Sequence, residues 1–466
     1  MKRIFLLLLS ASVAASCSGS KNSVGKPGVK GELIPQTKSR TFVAERPYGM
    51  VAIPGGSFVA GLADQDFTGS PEKAPLKTVT VASFFMDEAE TTNAEYRVFV
   101  NYVRDSIART LLAEAAGEGD GSGGRGRSIS DYAYKAANDK TLTPYEEFLE
   151  SNGALDEAEK RLDWKQPLYW KPSSYPDVEY AEVIESMYLP AGSKASGERI
   201  LDVSKLKYTY KWDDYQAALS EHDLGKSSLR SESIAVYPDT TVWVKDFNFS
   251  YNEPMFQQYF WHNAYKDYPV VGVTWDQARA YCFFRSKLKS DYNQSLRKKK
   301  QRPLLFRLPT EMEWEYAARG GLENATYPWG GPYLMDDRGC YLANFKPKRG
   351  NYIEDEVKGT YMYTAPVKKF KKNGFGLYDM AGNVSEWTDT PFNNSTYNFS
   401  STLNPSTKNT SGHYKSVRGG SWKDIGMMLM VGYRDYEHKD SARSYIGFRT
   451  VQDIPEAAAK IKRRTN

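Results

Sequence analysis

The sequence predicts a chain of mixed helix and strand, and three observations carry that prediction. Two apolar runs, Met50 to Phe58 and Val79 to Phe85, read as strands, the first of them entering the turn at Pro54-Gly55-Gly56. Three Thr-x-x-Glu/Gln boxes, Thr92 with Glu95, Thr274 with Gln277 and Thr310 with Glu313, mark helix starts. In each, a Thr hydroxyl satisfies a free backbone amide and the later side chain reaches back to the cap. Finally, at 40% hydrophobic and 14% aromatic residues, 33 of them Tyr, the 466-residue chain can bury a sizeable core and keep half-covered aromatic surfaces.

The helices follow in order. After Thr92 the apolar residues Tyr96, Phe99, Val100, Val103 and Ile107 recur at helical spacing, and the pattern continues through Leu111 and Ala115 to the Gly-rich stretch from Gly117 to Gly126. The third helix ends in Ala317-Ala318-Arg319 before Gly320, a C-terminal stop. Between them, Thr143 with Pro144 and Glu146 starts a further helix that runs to Leu162. Lys207 to Trp212 and Thr240 to Phe247 alternate as strands do.

Ahead of all this, Met1-Lys2-Arg3, the apolar run Ile4 to Leu9 and Ala14-Ala15-Ser16-Cys17 read as an export signal over residues 1–16. The small-residue run ending on cysteine looks like a bacterial lipobox, with Cys17 lipidated and Ser18 favouring the outer membrane; an ordinary signal with an incidental cysteine is the alternative. Residues 17–46 are polar and Gly-, Ser- and Pro-containing, which makes a tether. No later run is long and apolar enough for a spanning helix. Net charge is only +5, which gives no electrostatic case for nucleic acid. The basic runs Arg297 to Arg302, Lys368 to Lys372 and Lys460 to Arg464 read as solvated loops or ends, with acidic partners or lipid headgroups as the sharper reading.

The ordered blocks Ile53-Pro54-Gly55-Gly56, Glu90-Thr91-Thr92-Asn93, Tyr268 to Trp275, Arg307 to Gly320, Tyr327-Pro328-Trp329-Gly330, Asn373-Gly374-Phe375-Gly376, Gly382 to Trp387, Gly419-Gly420-Ser421-Trp422 and Gly447-Phe448-Arg449 resemble the formylglycine-generating, or sulfatase-modifying factor, family. The resemblance covers residues 47–103 and 268–451 and implies a compact α+β fold related to C-type lectins, with residues 104–267 as a large mixed insertion and 452–466 as a basic tail. It implies an oxidase whose two cysteines bind copper(I), a soft ion that selects sulfur ligands. Aligned from Gly419-Gly420-Ser421, those positions fall on Asp424 and Leu429, so the expectation is a chain with no catalytic residue and no required cofactor.

The resemblance also implies structural calcium, held through Asn383 and Glu386. Caps and hydrogen bonds within a buried loop are the alternative for those two residues. A second calcium site near Asn344 and Phe345 lacks its acidic partner, which falls at Gly359. An iron site of the kind found in another branch of the fold needs paired histidines, and His222, His262, His413 and His438 do not pair at helical spacing. Cys282, on a helix pattern, and Cys340, in a loop, read as one disulfide or two lone thiols. Gly119, Gly121 and Gly124 match a nucleotide fingerprint formally, but no strand precedes them and the stretch reads as a loop.

Within the insertion, Trp164, Tyr169, Trp170 and Tyr175 crowd beside prolines and charges. They make either a satellite core or a partner-binding surface, and the second reading is preferred for the amount of aromatic area involved. An exported chain of this fold, without the cysteines and with such an insertion, resembles the gliding-motility and type IX secretion lipoprotein family of GldK/PorK type. That resemblance implies a non-enzymatic scaffold, lipid-anchored in the outer membrane and facing the periplasm, self-associating into a ring with a periplasmic GldN/PorN-type ring protein and binding no nucleic acid. A calcium-dependent, lectin-like ligand- or glycan-binding module is the alternative.

Overall fold

The computed structural model describes residues 43–62, 74–118, 164–190, 199–213, 229–246, 258–295, 304–347, 361–405, 412–454 and 460–462. They fall into two units. One comprises Met1–Glu45 with Pro455–Asn466, in which Val43–Glu45 pairs in parallel with Lys460–Lys462. The other is Arg46–Ile454, and everything below concerns it.

Its strands and helices run β1 (Met50–Ile53), β2 (Gly56–Ala60), β3 (Lys77–Val81), β4 (Phe84–Asp87), α1 (Asn93–Glu118), α2 (Val178–Ser186), β5 (Lys207–Asp213), β6 (Leu229–Ala235), α3 (Val242–Asp246) and α4 (Trp275–Ser295). Then come β7 (Phe306–Arg307), α5 (Glu311–Arg319), β8 (Ser385–Pro391), β9 (Tyr414–Arg418), β10 (Asp435–His438), β11 (Ile446–Gly447) and β12 (Val451–Asp453). One four-stranded sheet has the order β1-β4-β12-β7 and another β10-β9-β8-β11, while β2-β3 and β5-β6 are two-stranded.

All three capping boxes form. Thr92 N donates to Glu95 Oε2 at 2.8 Å, Thr274 N to Gln277 Oε1 at 2.8 Å and Thr310 N to Glu313 Oε2 at 2.8 Å. Gly320 closes α5 at φ 61°, in the left-handed region that glycine enters at least cost. Buried Tyr96, Phe99, Val100 and Val103 line α1 as its apolar spacing requires.

Three readings change. Met50 to Phe58 is two strands, broken where Pro54 has no amide to give to a ladder. Val79 to Phe85 breaks at Ala82, whose amide is taken by Asn404 Oδ1 at 2.6 Å, so β3 joins β2 while β4 joins β1. The described part of the run expected as a strand from Thr240 to Phe247 is helical instead: Asp239 Oδ1 accepts Thr241 N at 2.8 Å and starts the short helix α3, and Phe247 lies outside the described residues. The partner of β5 is β6 instead.

The described parts of residues 104–267 share buried contacts with the residues on either side. Val242, Trp243 and Tyr259 share one buried cluster with Val271, Val384 and Trp422, and Tyr96 Oη donates to Val236 O at 3.0 Å. The helix expected from Thr143 lies outside the described residues, and among the described residues no helix is long and apolar enough to cross a membrane.

Helix α5 carries a buried ion network. Glu315 accepts Arg418 Nη2 at 2.8 Å, Arg319 Nη2 at 2.7 Å, Tyr397 Oη at 2.7 Å and Gly61 N at 2.8 Å. Glu311 accepts Arg418 Nη1 at 3.1 Å and Arg434 through Nε at 2.7 Å and Nη2 at 2.9 Å. Burial alone would push both carboxyls up, but Arg434 and Arg418 at Glu311, and Arg319 and Arg418 at Glu315, outweigh it and hold both below the usual carboxylate range. Arg418→Met strands part of this charge in a dry interior and is expected to lower the unfolding free energy by about 3–5 kcal/mol, measured by urea denaturation followed by circular dichroism.

Candidate functional site

The site suggested by the sequence lies where Gly382-Asn383 meets Gly419 to Trp422. Gly382 N donates to Gly419 O at 2.9 Å, Asn383 N to Asn344 O at 2.7 Å and Trp422 N to Asn383 O at 2.9 Å. Gly382 sits at φ 77°, and a Cβ there would stand 2.4 Å from Asn344 O, so this approach of two backbones requires glycine.

The side chains proposed to hold calcium are used otherwise. Glu386 receives Arg449 through Nη2 at 2.6 Å on one oxygen and Nε at 2.7 Å on the other, which also takes Trp314 Nε1 at 2.7 Å. Asn383 Oδ1 accepts Ala365 N at 2.8 Å, and its Nδ2 donates to Glu90 Oε1 at 3.1 Å. A cation approaching Glu386 would meet a guanidinium already seated on it. As placed, the Glu386 carboxylate and the Asn383 side chain are therefore committed to protein partners and are not free to serve as calcium ligands.

The segment aligned with the family's two cysteines is filled. Asp424 Oδ2 accepts Ser421 Oγ at 2.6 Å and Ser421 N at 2.9 Å, and burial pushes its carboxyl up against the pull of those bonds. Leu429 is fully buried beside Tyr327, Ala343, Phe345 and Ala381. One residue is a hard carboxylate tied to its own loop and the other has no donor atom, so copper(I) does not fit. Cys282 and Cys340 are unpaired; burial pushes the Cys282 thiol up, away from the thiolate that such chemistry needs. Beside Asp424, the Lys423 ammonium sits 3.3 Å from the centre of the Tyr445 ring, and burial pushes it down.

The aromatic residues proposed for a partner are engaged within the chain. Trp164 stacks on Tyr102 with centroids 4.6 Å apart, and Arg104 lies 4.0 Å over Trp170. Tyr169 N donates to Tyr180 Oη at 2.7 Å, and Tyr175 Oη bonds Glu185 at 3.0 Å and accepts Arg199 Nη2 at 2.8 Å. Trp164 nonetheless keeps 42% of its surface exposed. Cys17, Gly119, Gly121, Gly124, His222 and the run Arg297 to Arg302 lie outside the described residues.

Sequence reasoning passed over Glu90 and Asp379 as titrating groups. Both are buried, and Glu90 Oε2 and Asp379 Oδ1 have no hydrogen-bond partner among the described residues. Burial first, then Asp379, pushes the Glu90 carboxyl well above the ordinary range, and burial pushes Asp379 up to about 6 against its bond from Lys368 N and the pull of Arg449. Both folded-state values are raised, so the pair's contribution is full below the unfolded carboxylate range near ~4 and is lost as pH rises through the folded values. Glu90→Gln keeps the acceptor for Asn383 and removes one ionisation. Between pH 5 and 8 its unfolding free energy is expected to gain on the parent by on the order of 1–3 kcal/mol, measured by denaturant titration at each pH; parallel curves would refute the shared burial.

Residues 36–454 match the sulfatase-modifying factor enzyme 1-like domain. The formylglycine-generating enzyme of Bos taurus is 27% identical over 413 residues, covering 87% of this chain and 75% of that protein. That of Mus musculus is 35% identical over 198 residues, 41% of this chain and 46% of that protein, so the chain spans under half of that relative's length. A Bos taurus protein named inactive C-alpha-formylglycine-generating enzyme 2 is 34% identical over 189 residues, covering 39% of this chain and 50% of that protein. The structure of PvdO from Pseudomonas aeruginosa is similar at 18% identity and a TM-score of 0.43, covering 90% of this chain and 100% of that one, a likeness too slight to carry an argument. The match over nine-tenths of the sequence places this chain in the sulfatase-modifying factor enzyme 1-like domain family.

Proposed function

We propose that this chain is a non-catalytic member of its family, an outer-membrane lipoprotein anchored through Cys17 that assembles with a periplasmic GldN/PorN-type ring protein as a scaffold of the type IX secretion and gliding-motility machinery. One observation carries the non-catalytic half: Asp424 is bonded to Ser421 and Leu429 is packed in an apolar cluster, at the two positions where the family's thiols would stand. That a relative bears the name inactive is consistent with this half. The scaffold half rests on the lipobox-like leader, the large insertion and the resemblance to secretion lipoproteins, and a lipid on Cys17 gains hold through the multivalency of a ring.

Purified protein given copper(I) and a cysteine-bearing peptide is expected to return the peptide unmodified by mass spectrometry, and turnover would overturn the non-catalytic reading. Membranes solubilised in mild detergent are expected to yield the tagged chain in a large assembly, and a lone monomer would count against the scaffold. Cys17→Ser is expected to move the unassembled protein into the soluble fraction.

A further inference from the structure

The basic run Lys368-Lys369-Phe370-Lys371-Lys372 forms a loop clamped at both ends, and the site described above makes no use of its lysines. Lys368 stands at φ 63°, a left-handed conformation costly for a residue with a Cβ, and its N donates to Asp379 Oδ2 at 2.6 Å. At the other end Asn373 Nδ2 donates to Ala317 O at 2.7 Å, while its Oδ1 accepts Phe375 N at 3.1 Å and Leu377 N at 3.0 Å. All four lysines are exposed, with Phe370 half-buried among them. Lys368 pairs with Glu88 and Lys369 lies 5.6 Å from the centre of the Tyr361 ring, whereas Lys371 and Lys372 have no ion pair among the described residues. Glu88 also joins this loop to the start of the unit. Its N donates to Gly49 O at 3.0 Å, and just before Gly49 come Tyr48, 86% exposed, and Arg46, also exposed.

We propose that the Lys368–Lys372 loop, with Tyr48 beside it, docks on a bilayer surface of anionic phospholipid headgroups, as a second attachment besides the lipid on Cys17. The inference rests on the lipoprotein reading for its setting. Charge complementarity selects the occupant: the loop carries four lysines and the one carboxylate paired with them is Glu88. Lysines on flexible stems suit a diffuse layer of phosphates, where arginine forks would suit a shaped anion pocket. Tyr48 supplies a ring of the kind that settles at headgroup level. Placement completes the case, because Arg46 is the residue at which the tether expected from the sequence ends. A flexible chain over residues 17–46 has an end-to-end distance on the order of 30 Å, so the loop stays within reach of the bilayer that holds Cys17. One acyl anchor or one basic patch alone binds reversibly, and the two together bind stably.

The test is flotation of the full chain carrying Cys17→Ser, which has no lipid, with vesicles of phosphatidylcholine alone or of phosphatidylcholine and phosphatidylglycerol. The anionic vesicles are expected to carry the protein at low salt and to release it as sodium chloride is raised, and the neutral vesicles not to carry it. Lys371→Gln with Lys372→Gln is expected to lower the partition coefficient roughly 25-fold, about fivefold per lysine. Lys171→Gln with Lys207→Gln removes the same charge from exposed positions elsewhere and is expected to leave it unchanged. All four of these lysines are at the surface, so matching melting temperatures control for folding. Binding to neutral vesicles as strong as to anionic ones, a 371/372 variant that binds like the parent, or an equal loss in the 171/207 variant would overturn the proposal. So would no binding to anionic vesicles, which would leave the loop to an acidic protein partner. The lipid is absent throughout, so failure here is distinct from failure of the Cys17 reading, which fractionation of the lipidated chain decides.

Discussion

The fold depends on the two buried glutamates of α5. Four stretches of chain distant from α5 in sequence end on them, Gly61 after β2, Tyr397, Arg418 at the end of β9 and Arg434 before β10, joined by Arg319 from the same helix. Burying two carboxylates and three guanidiniums is costly, and only near-complete pairing makes it tolerable. The price is met here by geometry, because both oxygens of each carboxylate are occupied and Arg418 Nη2 also reaches Val431 O at 2.6 Å. Arg418 directly precedes Gly419-Gly420-Ser421, so anchoring it sets the entry to the whole loop in which Asp424 and Leu429 lie. No side chain of that network belongs to the aligned cysteine positions. The loop can lose its chemistry and keep its shape.

A second network lies beside the first and has the opposite balance. Around Arg449 there are three buried carboxyls, Glu90, Asp379 and Glu386, for one guanidinium, and Glu386 takes it. The same residue types therefore titrate in opposite senses: Glu311 and Glu315 are held down where guanidiniums outnumber carboxylates, and Glu90 and Asp379 are pushed up where they do not. Trp314 connects the two, with its Nε1 on Glu386 and the Arg418 guanidinium 5.6 Å from its ring centre.

What was legible in the sequence was local. The capping boxes are three-residue chemistry and formed as read, and the C-terminal stop at Gly320 needed only its own φ. Illegible features are those decided by distant partners. The break at Ala82 depends on Asn404, and the helix at Val242 hides behind alternation that suits a strand equally well until Asp239 caps it. Neither ion network announces itself, since a Glu in a helix pattern looks the same whether it faces water or Arg418. The inclusion of Trp243 in the main core, 6.1 Å from Trp422 across the presumed insertion boundary, was invisible for the same reason.

The geometry of the Gly-Asn-x-x-Glu-Trp motif is accounted for by the scaffold it holds together. Gly382 is required by a backbone 2.4 Å from where its Cβ would be, and Asn383, itself at φ 60°, holds Ala365 and Glu90. Glu386 neutralises the guanidinium of Arg449, and Trp387 donates to Val273 O at 3.1 Å from full burial. Each of these demands comes from packing, backbone conformation or buried charge, and none involves a reacting atom. A change at position 424 or 429 leaves every one of these constraints in force. The motif therefore reports the scaffold and does not by itself report a reaction.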